Sequence, residues 1–269
     1  MSRESPRNAI LVVMLTALVC SGLVSAAVVM LRPIQLNNQM LDRSRNIMQL
    51  TGLLPVDGQM EDEEVLELYK SLDRRLVDID AAEFDPEMDP NTFSLQRADN
   101  DPELSIAIPS KQDSANLGRR SRYTPVYMVW DGDQLDRMIL PVRGNGMWSM
   151  LRGYIALESD LNTIAGMTFY EQNETPGLGD QITHKHWLEQ WQGRRIYDDQ
   201  GKPRFRVNEG VVQPGTETAE FEVDALTGAT VTANAVTGLV DYWFGPHGYR
   251  EFLLALQEQP PERPVEESP

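Results

Sequence analysis

The chain has 269 residues, with 24 Lys and Arg against 41 Asp and Glu, which gives a formal net charge of −17 at pH 7. Its length allows one sizeable globular domain plus an attachment, and its acidic balance repels phosphate backbones, so nucleic acid is not an expected partner. The only cysteine, Cys20, supplies neither a disulfide framework nor the thiolates that zinc or an iron–sulfur cluster needs. Any redox chemistry must therefore use an organic cofactor.

The first predicted element is an apolar helix. Residues 10–31 carry no charge, and a run of this length is close to the ~20 residues that span a bilayer core. A cleaved signal peptide is the alternative, because Arg3 and Arg7 make a positive start and Val24-Ser25-Ala26 resembles a cleavage site. We favour an anchor, because the apolar run continues well past that site. Residues 1–35 are thus expected to form an N-terminal tail and one transmembrane helix.

The orientation of this helix is not decided by charge, because arginines flank both of its ends. We expect the N-terminus inside the cell and the large C-terminal part outside the cytoplasm, since the first segment is signal-like and a long domain follows it.

Residues 36–118 are predicted to form a helical and irregular acidic segment. Pro33 should interrupt the first helix, which then resumes and stops at Gly52. A second helix is predicted from Glu61 to about Asp80, where apolar residues recur at three- and four-residue steps after an acidic start. Residues 81–118 are rich in Pro, Asp, Asn and Ser and are expected to be mostly irregular.

Residues 119–257 are predicted to form the functional domain. Short β-prone runs such as residues 126–130 ("VYMVW") and 154–159 ("YIALES") are separated by turn residues, which indicates an antiparallel meander. A helix is expected from Thr230 to Phe244. The predicted fold class is α+β: one N-terminal transmembrane helix, then a largely antiparallel twisted sheet flanked by helices. Residues 258–269 have too few apolar side chains to fold and are expected to be a disordered tail.

The stretch "DALTGAT" (residues 224–230) precedes the predicted C-terminal helix. In one interpretation it is an ordinary helix cap, because Thr and Asp oxygens accept hydrogen bonds from the free N–H groups of a first turn. In the other it is an anion site, because the free N–H groups carry a partial positive charge and Gly228 and Ala229 are small enough for a phosphate to approach the backbone. Both interpretations put Thr230 at the start of the helix.

This stretch resembles the signature at which a separate flavin transferase esterifies the last threonine with flavin mononucleotide (FMN). The resemblance extends to "GNGMWSMLRGYIAL" (residues 144–157) and "GMTFYEQNETPGLGD" (residues 166–180). Together with the single anchor and the length, these motifs are similar to the NqrC family, the C subunits of sodium-translocating NADH:quinone reductases. The similarity covers nearly the whole chain.

The resemblance implies specific roles for residues near these motifs. Thr230 would hold covalent FMN through a phosphoester, and the recognition stretch for the transferase would consist of Asp224, Thr227, Gly228 and Ala229. A loop against the isoalloxazine ring would be formed by Glu174, Thr175, Pro176, Gly177, Leu178 and Gly179. Trp148 could stack on the flavin, or it could belong to the core. No metal site is expected, because His184 and His186, two residues apart, would lie on different faces of a helix.

The resemblance also implies an electron carrier within a multi-subunit redox complex of the bacterial inner membrane, with a periplasmic domain. It places NADH oxidation in other subunits. This chain is not expected to oxidise NADH itself, because the glycines at 144 and 146 lack a third glycine at the spacing of a dinucleotide fold. Two alternatives remain open: the related flavin-carrying G subunit of an Rnf-type ferredoxin:NAD reductase complex, and a non-redox anchored scaffold in which "DALTGAT" is only a cap.

Overall fold

The computed structural model describes residues 6–54 and 60–264, and the chain divides into two compact units, Met1–Ser44 and Arg45–Pro269. Helix α1 runs from Pro6 to Thr51. Within the described residues it is the one helix long and apolar enough to cross a membrane. Pro33 lies inside α1, so the predicted interruption was wrong. A proline removes one hydrogen bond of the helix, and the bonds of the neighbouring turns can hold the helix together.

The remaining elements form an α+β domain. The helices are α2 (Asp62–Ser71), α3 (Leu95–Asn100), α4 (Lys185–Leu188), α5 (Thr230–Trp243) and α6 (Arg250–Glu258). The strands are β1 (Asp73–Asp78), β2 (Glu83–Asp85), β3 (Ser105–Ala107), β4 (Arg119–Ser121), β5 (Tyr123–Asp131), β6 (Gln134–Asn145), β7 (Met150–Glu158), β8 (Ile164–Glu171), β9 (Arg206–Val207) and β10 (Glu222–Val223). The sequence did not indicate α6 as a separate helix.

The main sheet has six strands in the order β2-β1-β5-β6-β7-β8. Every pair of neighbours in it is antiparallel. The meander β5-β6-β7-β8 follows chain order, as alternating β-prone runs and short turns predict. The predicted fold class is confirmed, and strands β1 and β2 extend the sheet with residues from the segment that we expected to be helical and irregular.

The second helix is shorter than its periodicity indicates. α2 ends at Ser71 and β1 begins two residues later, so the prediction of helix to about Asp80 was wrong. The consecutive residues Leu76 and Val77 are both fully buried. Since successive side chains of a strand point to opposite faces, β1 is covered on both faces. Pairing with β5 over all six residues of β1 outweighs the local helical pattern, since propensity yields to tertiary context.

Apolar side chains cover both faces of the sheet. On one face the larger core joins the sheet to α5, α6 and the segment between β8 and α5. On the other face a smaller core joins the sheet to α2 and to the last turns of α1, through residues such as Ile47 and Val65. The strands are thus buried between helices, and the loops at the strand ends are left to form a site.

The end of the chain also has defined contacts. After α6, the carbonyl oxygen of Glu262 accepts a hydrogen bond from Arg75 at 2.7 Å, and Arg263 donates to the carbonyl of Gly132 at 2.9 Å. These contacts lie in the range 258–269 that we predicted as a disordered tail, and residues 265–269 of it lie outside the described residues.

Candidate functional site

Three segments of the domain converge at one site. They are the turn between β6 and β7 (residues 145–149), the loop that follows β8 (residues 172–181), and the stretch that leads into α5 (residues 224–232). All three were singled out from the sequence. The contacts between the segments involve predicted site residues and also residues that were not predicted.

Thr230 is the first residue of α5, as predicted. Ala229 occupies the N-cap position, and within the described part of the chain no side chain makes a capping hydrogen bond there. The interpretation of "DALTGAT" as an ordinary side-chain cap is therefore wrong. The first N–H groups of a helix have no partner within the helix and carry a partial positive charge. Thr230, the first residue of this helix end, is exposed to solvent.

Glu174 is buried beneath this site, with 4% of its surface exposed. Its Oε2 atom accepts a hydrogen bond from the hydroxyl of Thr232 at 2.5 Å, and its Oε1 atom accepts one from the backbone N–H of Trp148 at 3.2 Å. One carboxylate thus joins the loop after β8 to the β6–β7 turn and to the first turn of α5. That Glu174 belongs to a loop against a flavin ring stays a prediction.

The indole of Trp148 lies on the surface, 66% exposed. Its Nε1–H donates to the hydroxyl of Thr175 at 3.1 Å, so the ring is tied to the loop after β8. The alternative that this tryptophan belongs to the core is wrong. Leu178 in that loop is 42% exposed and Val231 next to Thr230 is 55% exposed. Large apolar side chains on all three segments therefore face solvent.

The glycines of the loop allow close approach. Gly177 and Gly228 both have φ of +76°, a conformation that side-chain-bearing residues rarely adopt. A β-carbon added to Gly228 would lie 2.9 Å from Leu178 Cδ2, and one added to Gly179 would lie 2.8 Å from Thr232 Oγ1. The loop after β8 and the start of α5 therefore approach so closely that a side chain at either glycine would clash with the other segment.

The remaining predicted residues are held by contacts around the turn into α5. Asp224 accepts a hydrogen bond from the backbone N–H of Val212 at 2.7 Å, and its carbonyl accepts one from Trp187 Nε1 at 3.0 Å. The carbonyl of Thr227 accepts a hydrogen bond from the Gln181 side chain at 3.2 Å. Asp224 thus fixes the stretch that precedes the helix, while the Thr227 hydroxyl belongs to an exposed residue.

Two contact residues were missed from the sequence. Gln181 Nε2 donates to the carbonyls of Leu178 at 2.7 Å and of Thr227, and so joins two motifs. Thr232 is 1% exposed and bonds to Glu174. A signal was present for Thr232, since residues two apart at a helix start lie on nearly opposite faces. If Thr230 faces outward, Thr232 must face the domain.

Comparison with known proteins agrees with this arrangement. The family profile of the FMN-binding domain matches residues 146–245. The C subunit of the Na(+)-translocating NADH-quinone reductase of Pseudomonas aeruginosa is 40% identical over 258 residues, covering 96% of this chain and 98% of that protein. The protein of the same name from Yersinia pestis is 38% identical over 266 residues, with the same coverage.

Solved structures show the same fold. The crystal structure of NqrC from Shewanella oneidensis matches with a TM-score of 0.72 at 32% identity, over 80% of this chain and 96% of that one. The C subunit of the Na(+)-translocating NADH-quinone reductase from Parabacteroides distasonis matches with a TM-score of 0.60 at 26% identity, over 83% of this chain and 96% of that one.

The antiparallel sheet, the three converging segments and the matching profile define an FMN-binding domain. Relatives with such identity over nearly the whole length narrow the class further. The chain belongs to the NqrC family, the C subunits of Na(+)-translocating NADH-quinone reductases. These relatives are named as subunits of the Na(+)-translocating NADH-quinone reductase, not of an Rnf-type complex.

Proposed function

We propose that this chain is the electron-carrying NqrC component of a membrane-bound Na(+)-translocating NADH:quinone reductase and that it holds FMN in a phosphoester bond to Thr230. The observation that carries the proposal is the position of Thr230. This threonine is exposed and is the first residue of α5, and no side chain caps that helix end among the described residues.

The neighbouring hydroxyl is a poor candidate for attachment. Thr232 is 1% exposed and donates its hydroxyl to Glu174, so a transferase could not reach it without breaking this contact. The place of Thr230 at the start of α5 supports a phosphate there, because the N-terminus of a helix favours negative charge. The two threonines therefore differ in access, although both lie in the first turn of α5.

The surrounding residues suit a flavin. Glycines at 177 and 228 with positive φ keep the backbone free of side chains, and a β-carbon added to Gly177 would meet nothing within 4 Å. The exposed apolar side chains of Trp148, Leu178 and Val231 offer a surface to the isoalloxazine ring. The ring needs such packing because a phosphoester bond holds only the phosphate end of FMN. FMN supplies one- and two-electron chemistry, and the chain fixes its position and surroundings.

Maturation and assembly follow from this chemistry. The chain needs a separate flavin transferase, as its resemblance to the signature of this family implies, and its electron partners are other subunits of the complex. NADH oxidation belongs to those subunits. The anchor holds the chain in the bacterial inner membrane by a single pass, with the FMN-binding domain in the periplasm.

The test is the mass of the peptide that contains Thr230, after co-expression with a flavin transferase. We expect the wild-type peptide to carry FMN and the band to fluoresce after denaturation. Thr230→Ala should fold and carry no covalent flavin, because alanine has no oxygen to esterify. Its cost in stability should be below the ~0.5–2 kcal/mol of a lost cap, since no capping bond is present among the described residues. Thr230→Ser should retain some attachment.

The matched control is Asn234→Ala, an exposed position one turn further along α5. It should retain full modification. An unmodified wild-type peptide, or a flavin still attached in Thr230→Ala, would refute the assignment, and modification of Thr232 would show that the attached residue is wrong.

A further inference from the structure

The carboxylate of Glu174 connects groups that are far apart in the sequence. Its two oxygens accept hydrogen bonds from the backbone of Trp148, in the β6–β7 turn, and from the hydroxyl of Thr232, in α5. Its own backbone N–H donates to Gln172 Oε1 at 2.6 Å. A buried acid that bonds to two separate segments holds both of them relative to its own loop.

The space around this carboxylate is closed by glycines. A β-carbon added to Gly146 would lie 2.5 Å from Glu174 Oε1, and one added to Gly179 would lie 2.8 Å from Glu174 Cβ and 3.0 Å from Oε2. The acid therefore fills a slot that only glycines leave open, and nothing larger than a hydrogen at these two positions fits without movement.

We infer that Glu174 is a positioning residue for the flavin site rather than a flavin contact. It holds the turn that carries Trp148 against the first turn of α5, so that the exposed indole stands at a fixed position relative to Thr230. The inference rests on the proposed function, because it assigns the acid to the site where Thr230 carries FMN. The hydroxyl of Thr232 is a necessary part of this connection.

The connection can be measured without flavin. The backbone N–H of Trp148 is bonded to Glu174, so hydrogen exchange of this amide in the flavin-free protein reports on the contact. In Glu174→Ala we expect exchange about tenfold faster, because a hydrogen bond to a charged acceptor is lost. Glu174→Gln should stay within about twofold of wild type, since its amide oxygen can accept from Trp148 while its NH₂ group donates to the Thr232 hydroxyl.

The critical variant is Thr232→Val. It removes the hydroxyl without touching Trp148, yet it should speed exchange at the Trp148 amide because Glu174 loses its second anchor. Thr232→Ser should restore protection. In the Glu174→Ala background, Thr232→Val should add nothing further, which is the sign of a contact that runs through the acid. If Glu174→Ala does not fold, Thr232→Val and Thr232→Ser still decide the question.

The matched control is Glu171→Ala, because Glu171 is an exposed acid three residues earlier that pairs with Arg152 at 3.2 Å. It should leave exchange at Trp148 unchanged. In the flavin-loaded protein, Glu174→Ala should shift the flavin absorption maximum and midpoint potential while the Thr230 peptide remains modified, and Glu171→Ala should shift neither.

The outcomes separate the two proposals. Unchanged exchange at Trp148 in both Glu174→Ala and Thr232→Val would overturn the positioning role and leave the attachment to Thr230 intact. An unmodified Thr230 peptide in the wild type would overturn the proposed function, whatever the exchange rates show. Faster exchange in Glu171→Ala to the same extent would also overturn the positioning role.

Discussion

At the scale of single residues, the site depends on which way chemically similar side chains face. Thr230 and Thr232 have the same hydroxyl and lie within one turn of α5, yet one is exposed and the other is 1% exposed. Burial is what separates a threonine that is open to solvent from one whose hydroxyl bonds to Glu174. Two glycines of the loop after β8 also differ. At Gly179 neighbouring side chains leave no room for a β-carbon, whereas at Gly177 the space is open and the positive φ is what disfavours other residues.

Gly177→Val tests the loop after β8. The φ of +76° at Gly177 is unfavourable for a β-branched residue, and no atom lies within 4 Å of the added β-carbon, so the effect comes from the backbone. We expect a loss of ~1–2 kcal/mol in the free energy of unfolding. The flavin should remain attached, with a changed absorption spectrum and potential because the loop that carries Leu178 shifts. Absorption spectroscopy and redox titration measure both.

Gly193→Val provides the comparison, because Gly193 has φ of +74° and equally open surroundings in a different turn. It should cost similar stability and leave the flavin spectrum unchanged. Identical spectra for wild type and Gly177→Val would remove this loop from the flavin site.

At the scale of elements, the sequence predicted those helices and strands whose formation depends on local sequence pattern. The strands of the meander follow from β-prone runs separated by turn residues, and the start of α5 follows from small residues before an apolar run. The extent of α2 was not predictable, because the apolar spacing of residues 73–78 is that of a helix and only their pairing with β5, which is distant in sequence, makes them a strand. The contact between Glu174 and Thr232 was not predictable either, because it joins residues 58 positions apart.

A buried ion pair illustrates the same limit. Asp99 in α3 pairs with Arg143 in β6, and the two side chains are 9% and 5% exposed. Asp99 Oδ1 also accepts the backbone N–H of Ser121 at 3.0 Å. Burial lowers the pKa of Arg143, and Arg152, its partner across the strand pair, lowers it further. The sequence placed Asp99 in a segment that we expected to be mostly irregular, so its role in joining α3 to the sheet was not apparent.

Asp99→Asn tests this connection between elements. It leaves the guanidinium of Arg143 buried without its countercharge, and we expect the free energy of unfolding to fall by ~3–5 kcal/mol. Glu67→Gln is the control, because Glu67 pairs with Lys70 on the surface, where the two side chains are 74% and 61% exposed. Loss of this exposed pair should lower the free energy of unfolding by at most ~1 kcal/mol. Urea unfolding of both variants measures the difference. Equal, small losses would show that Asp99 does not stabilise the contact of α3 with the sheet.

At the scale of the whole molecule, the two units differ in what they expose. In the unit Arg45–Pro269 the large apolar side chains are mostly buried, and the exposed ones include those at the candidate site. In the unit Met1–Ser44 the apolar residues of α1, from Ile10 to Ile34, are exposed. The uncharged part of this helix, residues 10–31, is close in length to a bilayer core and fits a membrane anchor.

The last prediction concerns this helix. If α1 is an anchor, the purified protein should retain Met1, and it should sediment with the inner membrane until detergent releases it. A mature N-terminus at Ala27 would instead identify a cleaved signal peptide. A phosphatase that works only outside the cytoplasm should be active when fused to the C-terminus. A matched reporter that works only in the cytoplasm should be inactive at the same position.

The control replaces Leu15 and Leu18, both exposed on α1, with arginine. Charges near the centre of a membrane span disfavour insertion, at ~2.5–3.5 kcal/mol each, so the phosphatase signal should fall. Activity of the cytoplasmic fusion in the unaltered chain would reverse the orientation and exclude a periplasmic flavin.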